Sequence, residues 1–211
     1  MYIPTPFEMN DPTEITRFIH AHSFGLLMST VEGQPFATHL PFLYDAGQNV
    51  LFAHMAKANP QWRELDGQTA LVVFSGPHAY ISPSWYEAPA SVPTWNYAAV
   101  HVYGTCKIID HEGELGRLLE QAVKFYEPHS ELPSQADEPF YRNMMKAIVG
   151  FRVDITRTEG KAKLSQNKSN EIQRRVAARL GESGDCGAGD VSRLMQERLN
   201  AVKGAEQVED L

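Results

Sequence analysis

Four short stretches carry side chains with chemistry to offer. Ala58-Asn59-Pro60-Gln61-Trp62 places a capping Asn before Pro, a helix-start pattern, shortly after a β-like run that ends at His54. Exposed N–H groups and a positive dipole end there would hold a phosphate, with Lys57 nearby; alternatively Asn59 is a plain cap and Trp62 a core anchor. Thr38-His39-Leu40-Pro41-Phe42 sets Pro41 inside a strand, which is tolerated only at an edge, a bulge or a strand end. An interrupted strand frees backbone donors and acceptors for a flat heterocycle; the other reading is a simple bulge, with His39 a structural histidine.

Val92-Pro93-Thr94-Trp95-Asn96-Tyr97 joins a rigid turn to an indole, an amide and a phenol. Such a set suits stacking on a ring and bonding its edge, or packing a barrel corner against a dimer partner. Gly160-Lys161-Ala162-Lys163-Leu164-Ser165-Gln166-Asn167-Lys168 follows the last expected strand. Its two cations with Ser, Gln and Asn would grip a phosphate, or the stretch is a solvated loop capping the next helix. Several other chemistries are missing. No G-x-G-x-x-G, P-loop, G-x-S-x-G or H-E-x-x-H occurs, and no acid–base pair stands out as catalytic. The eight histidines are scattered, and His20 and His22, two apart on a helix, share no ligand position, so no metal site is expected.

The elements that position these stretches follow from periodicity. Asn10-Asp11-Pro12 opens a short amphipathic helix ending near His22. Phe24 to Thr30, Phe36 to Tyr44 and Val50 to His54 read as strands of a β-meander joined by Gly-bearing turns. A short helix runs from Asn59 to Leu65. Thr69 to Phe74 is an apolar β-run that Gly76-Pro77 is expected to break, with Ala79 to Ser82 able to continue in the sheet, and Trp95 to Ile109 is a long strand. On it Trp95, Tyr97, Ala99, His101 and Tyr103 share one face, with Val100, Val102 and Cys106 among those on the other. Helical patterns cover Gly113 to Tyr126 and Glu138 to Ala147, and Val149 to Thr156 is expected to be the last strand. Asn170 to Leu180 and Asp190 to Val202 read as two further helices. Antiparallel meanders without βαβ alternation exclude a doubly wound nucleotide fold and favour a small barrel, mainly β with helices.

The 211 residues include 43% hydrophobic and 21% charged ones, enough to bury a core without disulfides. Cys106 and Cys186 form no framework, which points to a reducing cytoplasm. Met1 to Asn10 lacks a basic segment before an apolar run, so no signal peptide is expected. No apolar window approaches the roughly 20 residues of a spanning helix, so no membrane association is expected. The net charge of -7 argues against anionic partners. The charge is uneven, however. Residues 152–179 hold eight Lys or Arg against three acids, a local +5 on a remainder of -12. That segment restores an anionic partner, a phosphate before DNA.

In order and spacing, several motifs resemble the PaiB family of FMN-binding negative transcriptional regulators. They are Met1-Tyr2-Ile3-Pro4, Ala37 to Phe42, Ala58 to Trp62, Gly76 to Tyr86, Val92 to Tyr97 and Gly160 to Asn167, and the resemblance covers about residues 1–170. It implies an FMN-binding split β-barrel over residues 1–165, a C-terminal helical extension over 166–211, and a homodimer with FMN at the subunit interface. On that analogy Thr38, His39, Leu40, Pro41 and His54 line the isoalloxazine, and Asn59 with Gln61 face the ribityl-phosphate. Thr94, Trp95, Asn96, Lys163, Ser165, Gln166 and Asn167 close the site. The family pattern leads one to expect an aromatic where Ala162 stands, and without that ring flavin would bind more weakly. Three functions share this pocket: an FMN-binding transcriptional regulator, a flavin-dependent reductase in which the protein only orients the flavin, and a haem-binding relative with His39, His54 or His101 as axial ligand. Direct DNA binding would rest on the family description and on the Asn170–Val202 helix pair.

Overall fold

The computed structural model describes residues 1–88, 91–129 and 143–209, with side chains as far as 201. Residues 138–142, half of the helical pattern expected over 138–147, lie outside the described residues, and the described half holds a helical turn at 143–145. Eight strands form one sheet in the order β3-β2-β6-β7-β8-β5-β4, with β1 added on β8. They are β1 (Glu8–Met9), β2 (Phe24–Val31), β3 (Gln34–Pro41), β4 (Leu43–Asp45), β5 (Val50–Ala56), β6 (Thr69–Ile81), β7 (Thr94–Ile109) and β8 (Ile148–Lys163). Among the described residues four full α-helices accompany them: α1 (Pro12–Ala21), α2 (Glu112–Tyr126), α3 (Asn170–Glu182) and α4 (Ala188–Glu209). By contacts the chain forms two compact units. A barrel unit contains Pro12–Phe74 and Val100–Glu159; a terminal unit contains Met1–Asp11, Ser75–Ala99 and the chain from Gly160 onward.

The barrel unit is built on alternation. Leu27, Leu51, Val72, Phe74, Val100, Val102, Phe151 and Val153 are wholly buried, each separated along its strand from the next inward side chain by one that faces outward. Phe42, between β3 and β4, packs edge-to-face on Phe74 and Phe151 at 5.6 and 6.3 Å. Gly104 is required by close approach, since a Cβ there would lie 2.4 Å from the Asp154 carbonyl oxygen. Helix α2 seals one side through Leu115 and Leu118 against Ile109, with Phe52 and Ile148 at the margin.

In the terminal unit, β1 pairs antiparallel with the end of β8, Glu8 opposite Lys161 and Met9 opposite Gly160. Helices α3 and α4 pack on each other through Val176, Leu180, Val191 and Met195, and Ser192 Oγ donates to the Ala177 carbonyl at 2.7 Å.

Two expectations are corrected here. Gly76-Pro77 does not break the strand: β6 continues to Ile81. Strand β2 pairs with β6 only at Leu71–Val73, so past Phe74 that side carries no β2 ladder and Pro77 forfeits no bond to it. Residues Gly160–Lys163 are the end of β8 and no loop, because β1 supplies a partner that local periodicity does not reveal. Pro41 marks the end of an edge strand whose pairing with β2 is continuous from Gln34 to Pro41, so no bulge forms.

Candidate functional site

In the barrel unit the Asn59-Pro60 signal produces a 3-10 helix, Pro60–Glu64. Its cap is satisfied locally, with Gln61 N–H donating to Asn59 Oδ1 at 3.0 Å. Gln61 itself is fully buried. Its Nε2 donates to Ser29 Oγ at 2.9 Å, with the Leu27 and Phe36 carbonyls at 3.5 and 3.4 Å, and its Oε1 accepts from Thr38 Oγ1 at 2.6 Å. Thr38 Oγ1 in turn accepts from Asn59 Nδ2 at 2.9 Å. Ser29, Thr38, Asn59 and Gln61 thus form one neutral network that ties β2, β3 and the 3-10 helix together. Trp62 directs its Nε1–H to the Lys57 carbonyl at 2.9 Å. Leu40 is buried, while His39 and Pro41 are exposed on the edge strand, where His39 stacks on Phe24 at 6.0 Å. His54 stands on β5 opposite Gly150, and burial pushes its imidazole below the usual histidine value.

The terminal unit holds a different kind of centre. Lys163 Nζ donates to Thr94 Oγ1 at 2.6 Å and to the Trp95 carbonyl at 2.5 Å. Burial, and then the charge of Lys161, hold its ammonium below the ordinary lysine range. Lys161 is only 7% exposed, donates to the Tyr2 carbonyl at 3.0 Å and lies over the Tyr97 ring. Among the described residues neither lysine has a carboxylate partner. Four of the six other cations of the basic segment contrast with them: Arg152 pairs with Asp154, Arg157 with Glu159, Arg175 with Glu87 and Glu171, and Arg179 with Glu182, while Lys168 lies over the Tyr86 ring. Trp95, whose backbone carbonyl Lys163 meets, is 52% exposed, with the rings of His78 and Tyr80 at 5.5 and 6.2 Å from its indole.

Asn96, fully buried, forms a reciprocal pair with Ser165: Nδ2 donates to Oγ at 3.0 Å, and Oγ donates to Oδ1 at 3.2 Å. Gln166 closes its own turn, accepting from Leu164 N–H at 2.6 Å and donating to the Ala162 carbonyl, while Asn167 is exposed. Ala162 is buried in β8. Within the barrel unit the expected residues Thr38, Asn59 and Gln61 meet; within the terminal unit Thr94, Trp95, Asn96, Lys163 and Ser165 do. Sequence reasoning missed Ser29, Tyr80 and Met195. The first two sit on strands with polar or aromatic residues at the alternate register, a weak signal, and Met195 gives none.

Exposed rings and lysines without carboxylate partners in the terminal unit are compatible with a phosphate-bearing aromatic ligand, and the comparisons supply the class, a flavin-binding protein of the split-barrel fold. The family described as "Putative FMN-binding domain" matches residues 1–157, and the chain belongs to it. The protease synthase and sporulation protein PAI 2 of Bacillus subtilis is 36% identical over 205 residues, covering 94% of this chain and 98% of its own. Among solved structures, the FAD and haem binding protein of Mycobacterium smegmatis superposes with TM-score 0.62 at 15% identity over 78% of each chain. The flavocytochrome Anf3 of Azotobacter vinelandii gives 0.60 at 17% identity over 74% of this chain and 69% of its own. These two likenesses establish the split-barrel fold.

FMN is the cofactor of this family, and the residues present fit it. A phosphate monoester needs cations that no carboxylate already neutralises, which Lys163 and Lys161 are. A planar ring needs an accessible aromatic face, which Trp95 and Tyr80 offer. When bound, FMN supplies a redox-active isoalloxazine. The chain's own part is to bind and orient it.

Proposed function

We propose that this protein is a homodimeric FMN-binding regulator whose flavin lies at the subunit interface, with Lys163 taking the phosphate and Trp95 contacting the ring. The observation that carries this reading is the pair of lysines held by neutral acceptors in a segment whose arginines largely have carboxylate partners. Within the barrel unit, Thr38 to Pro41 on the open edge of β3, with His54, are proposed as ring contacts, and Asn59 as a contact towards the ribityl-phosphate. Gln61 has its amide committed to the buried network, so it would hold Thr38 and Asn59 in place.

The homodimer is supported by the outward face of β2 and β6 in the barrel unit. There Leu26 stands opposite Val73 and Met28 opposite Leu71, with Phe24 65% exposed at the strand end. Such an apolar sheet face suits a second copy of the chain. Direct DNA contact draws little support from the helix pair, whose Arg175, Arg179 and Arg193 each have a carboxylate partner. A flavin-responsive regulator in a cytoplasmic setting is the reading that the charge distribution and family membership favour.

The test is a fluorescence titration of the purified chain with FMN. Lys163→Ala is expected to weaken binding by about 1.5–3 kcal/mol, the range for a hydrogen bond to a charged group. Unchanged affinity in Lys163→Ala combined with Asn59→Ala would refute the phosphate placement. Anaerobic bleaching of the bound flavin by NADH or NADPH would move the assignment to a reductase. Failure to shift promoter DNA at low salt would exclude direct regulation by contact with DNA.

A further inference from the structure

We infer that Asn96, Ser165 and Met195 are positioning residues for the Lys163 ammonium, which makes helix α4 part of the phosphate-binding apparatus. The inference rests on the reading that Lys163 meets the flavin phosphate. Asn96 and Ser165 were natural candidates for direct flavin contact, since both are polar and sit beside residues that the ligand would touch. Their hydrogen bonds leave little room for that. The Asn96 amide gives one N–H to Ser165 Oγ at 3.0 Å and the other to Met195 Sδ at 3.5 Å, while its carbonyl oxygen accepts from Ser165 at 3.2 Å. The Ser165 hydroxyl has its proton and a lone pair committed to Asn96, and both residues are buried.

What they do instead is fix two chain segments at once. Asn96 follows Trp95, whose carbonyl accepts from Lys163, and Ser165 lies two residues beyond Lys163. Ser165 is held at φ 68°, in the left-handed region that a side chain with a Cβ disfavours. A backbone conformation of that kind persists where its surroundings over-determine it, and here the surroundings are the Asn96 amide on one side and the Gln166 side-chain turn on the other. Met195 brings in α4. A second contact from the helix pair reaches the same centre: Gly187, at φ 80° in the α3–α4 connection, approaches so closely that a Cβ would lie 3.0 Å from the His78 carbonyl oxygen. The His78 ring packs on Trp95. The helix pair therefore reaches the candidate site twice, through Met195 on the side of the cation and through Gly187 on the side of the ring, and the trio belongs to the first.

The experiment compares FMN with riboflavin, which lacks the phosphate, in titrations of the full chain. Asn96→Ala is expected to lower FMN affinity by about tenfold and to leave riboflavin affinity within about twofold. Adding it to Lys163→Ala should cost nothing further, because residues acting through one contact are not additive. Should Asn96→Ala fail to fold, Ser165→Ala and Met195→Ala carry the test and should show the same selective loss. Equal losses for FMN and riboflavin, or full additivity with Lys163→Ala, would mean that the trio only stabilises the fold, and the inference falls. A ratio of FMN to riboflavin affinity unchanged by Lys163→Ala overturns the phosphate reading and this inference with it. A ratio that falls in Lys163→Ala but not in the trio overturns the inference alone.

Discussion

The two polar centres of this molecule look alike in composition and differ in their accounts. The barrel-unit centre of Ser29, Thr38, Asn59 and Gln61 is neutral, and its donors meet acceptors inside the protein. The terminal-unit centre holds two lysines on carbonyl and hydroxyl oxygens alone, beside an exposed indole. A satisfied network rigidifies a fold, whereas cations left without anions mark a place where an anion is expected from outside. Polar residue type says little about function; what remains unpaired after folding says more.

The contrast can be broken most forcefully at Gln61. Replacing it by Ala removes the partner of Thr38 and Ser29 in a fully buried position, and about 3 kcal/mol of unfolding free energy should be lost. Urea unfolding measures this; a loss under about 0.5 kcal/mol would show that the neutral centre does not hold the barrel unit.

A smaller effect is expected from pH at Lys163. Its folded pKa is depressed by burial and by Lys161. Between that value and the roughly 10.4 of an unfolded lysine, the unfolded chain binds more protons, so the ligand-free protein gains stability as pH rises through the window. FMN affinity should move the opposite way and fall as the ammonium loses its proton. Lys163→Arg, charged throughout, should abolish the fall, and riboflavin should not show it. Affinity for FMN that tracks riboflavin across this range would remove the phosphate from Lys163.

The smallest effect contrasts the two thiols. Cys106 lies buried in the barrel unit with its thiol pushed up to about 12, while Cys186 is exposed in the terminal unit. A thiol-reactive dye at pH 8 should label one cysteine per chain in the native state and the second only after unfolding. Rapid labelling of both would mean that the barrel unit opens far more readily than its packing implies.

Much of the architecture was legible from local pattern. The alternation in β7, the Asn59 cap and the helices of residues 112–126 and 170–182 obey rules that operate over a few residues. The strand through Gly76-Pro77 and the burial of Lys161 were not legible, because each depends on where a distant strand stops or begins to pair. The candidate site divides in the same way. The motifs around Thr38, Asn59, Trp95 and Lys163 were visible as residue types. That Gln61, Asn96 and Ser165 spend their hydrogen bonds on the protein itself was not.

The sequence by itself determined which side chains were on offer, the strand and helix periods, and a basic segment on an acidic chain. Tertiary structure decided which of those charges survive. Four arginines of the segment are paired with carboxylates, one of them across 88 residues of chain to Glu87, whereas Lys161 and Lys163 donate to carbonyl and hydroxyl oxygens and have no carboxylate partner among the described residues. Charge compensation is a matter of distance in space, and only the folded chain sets that distance.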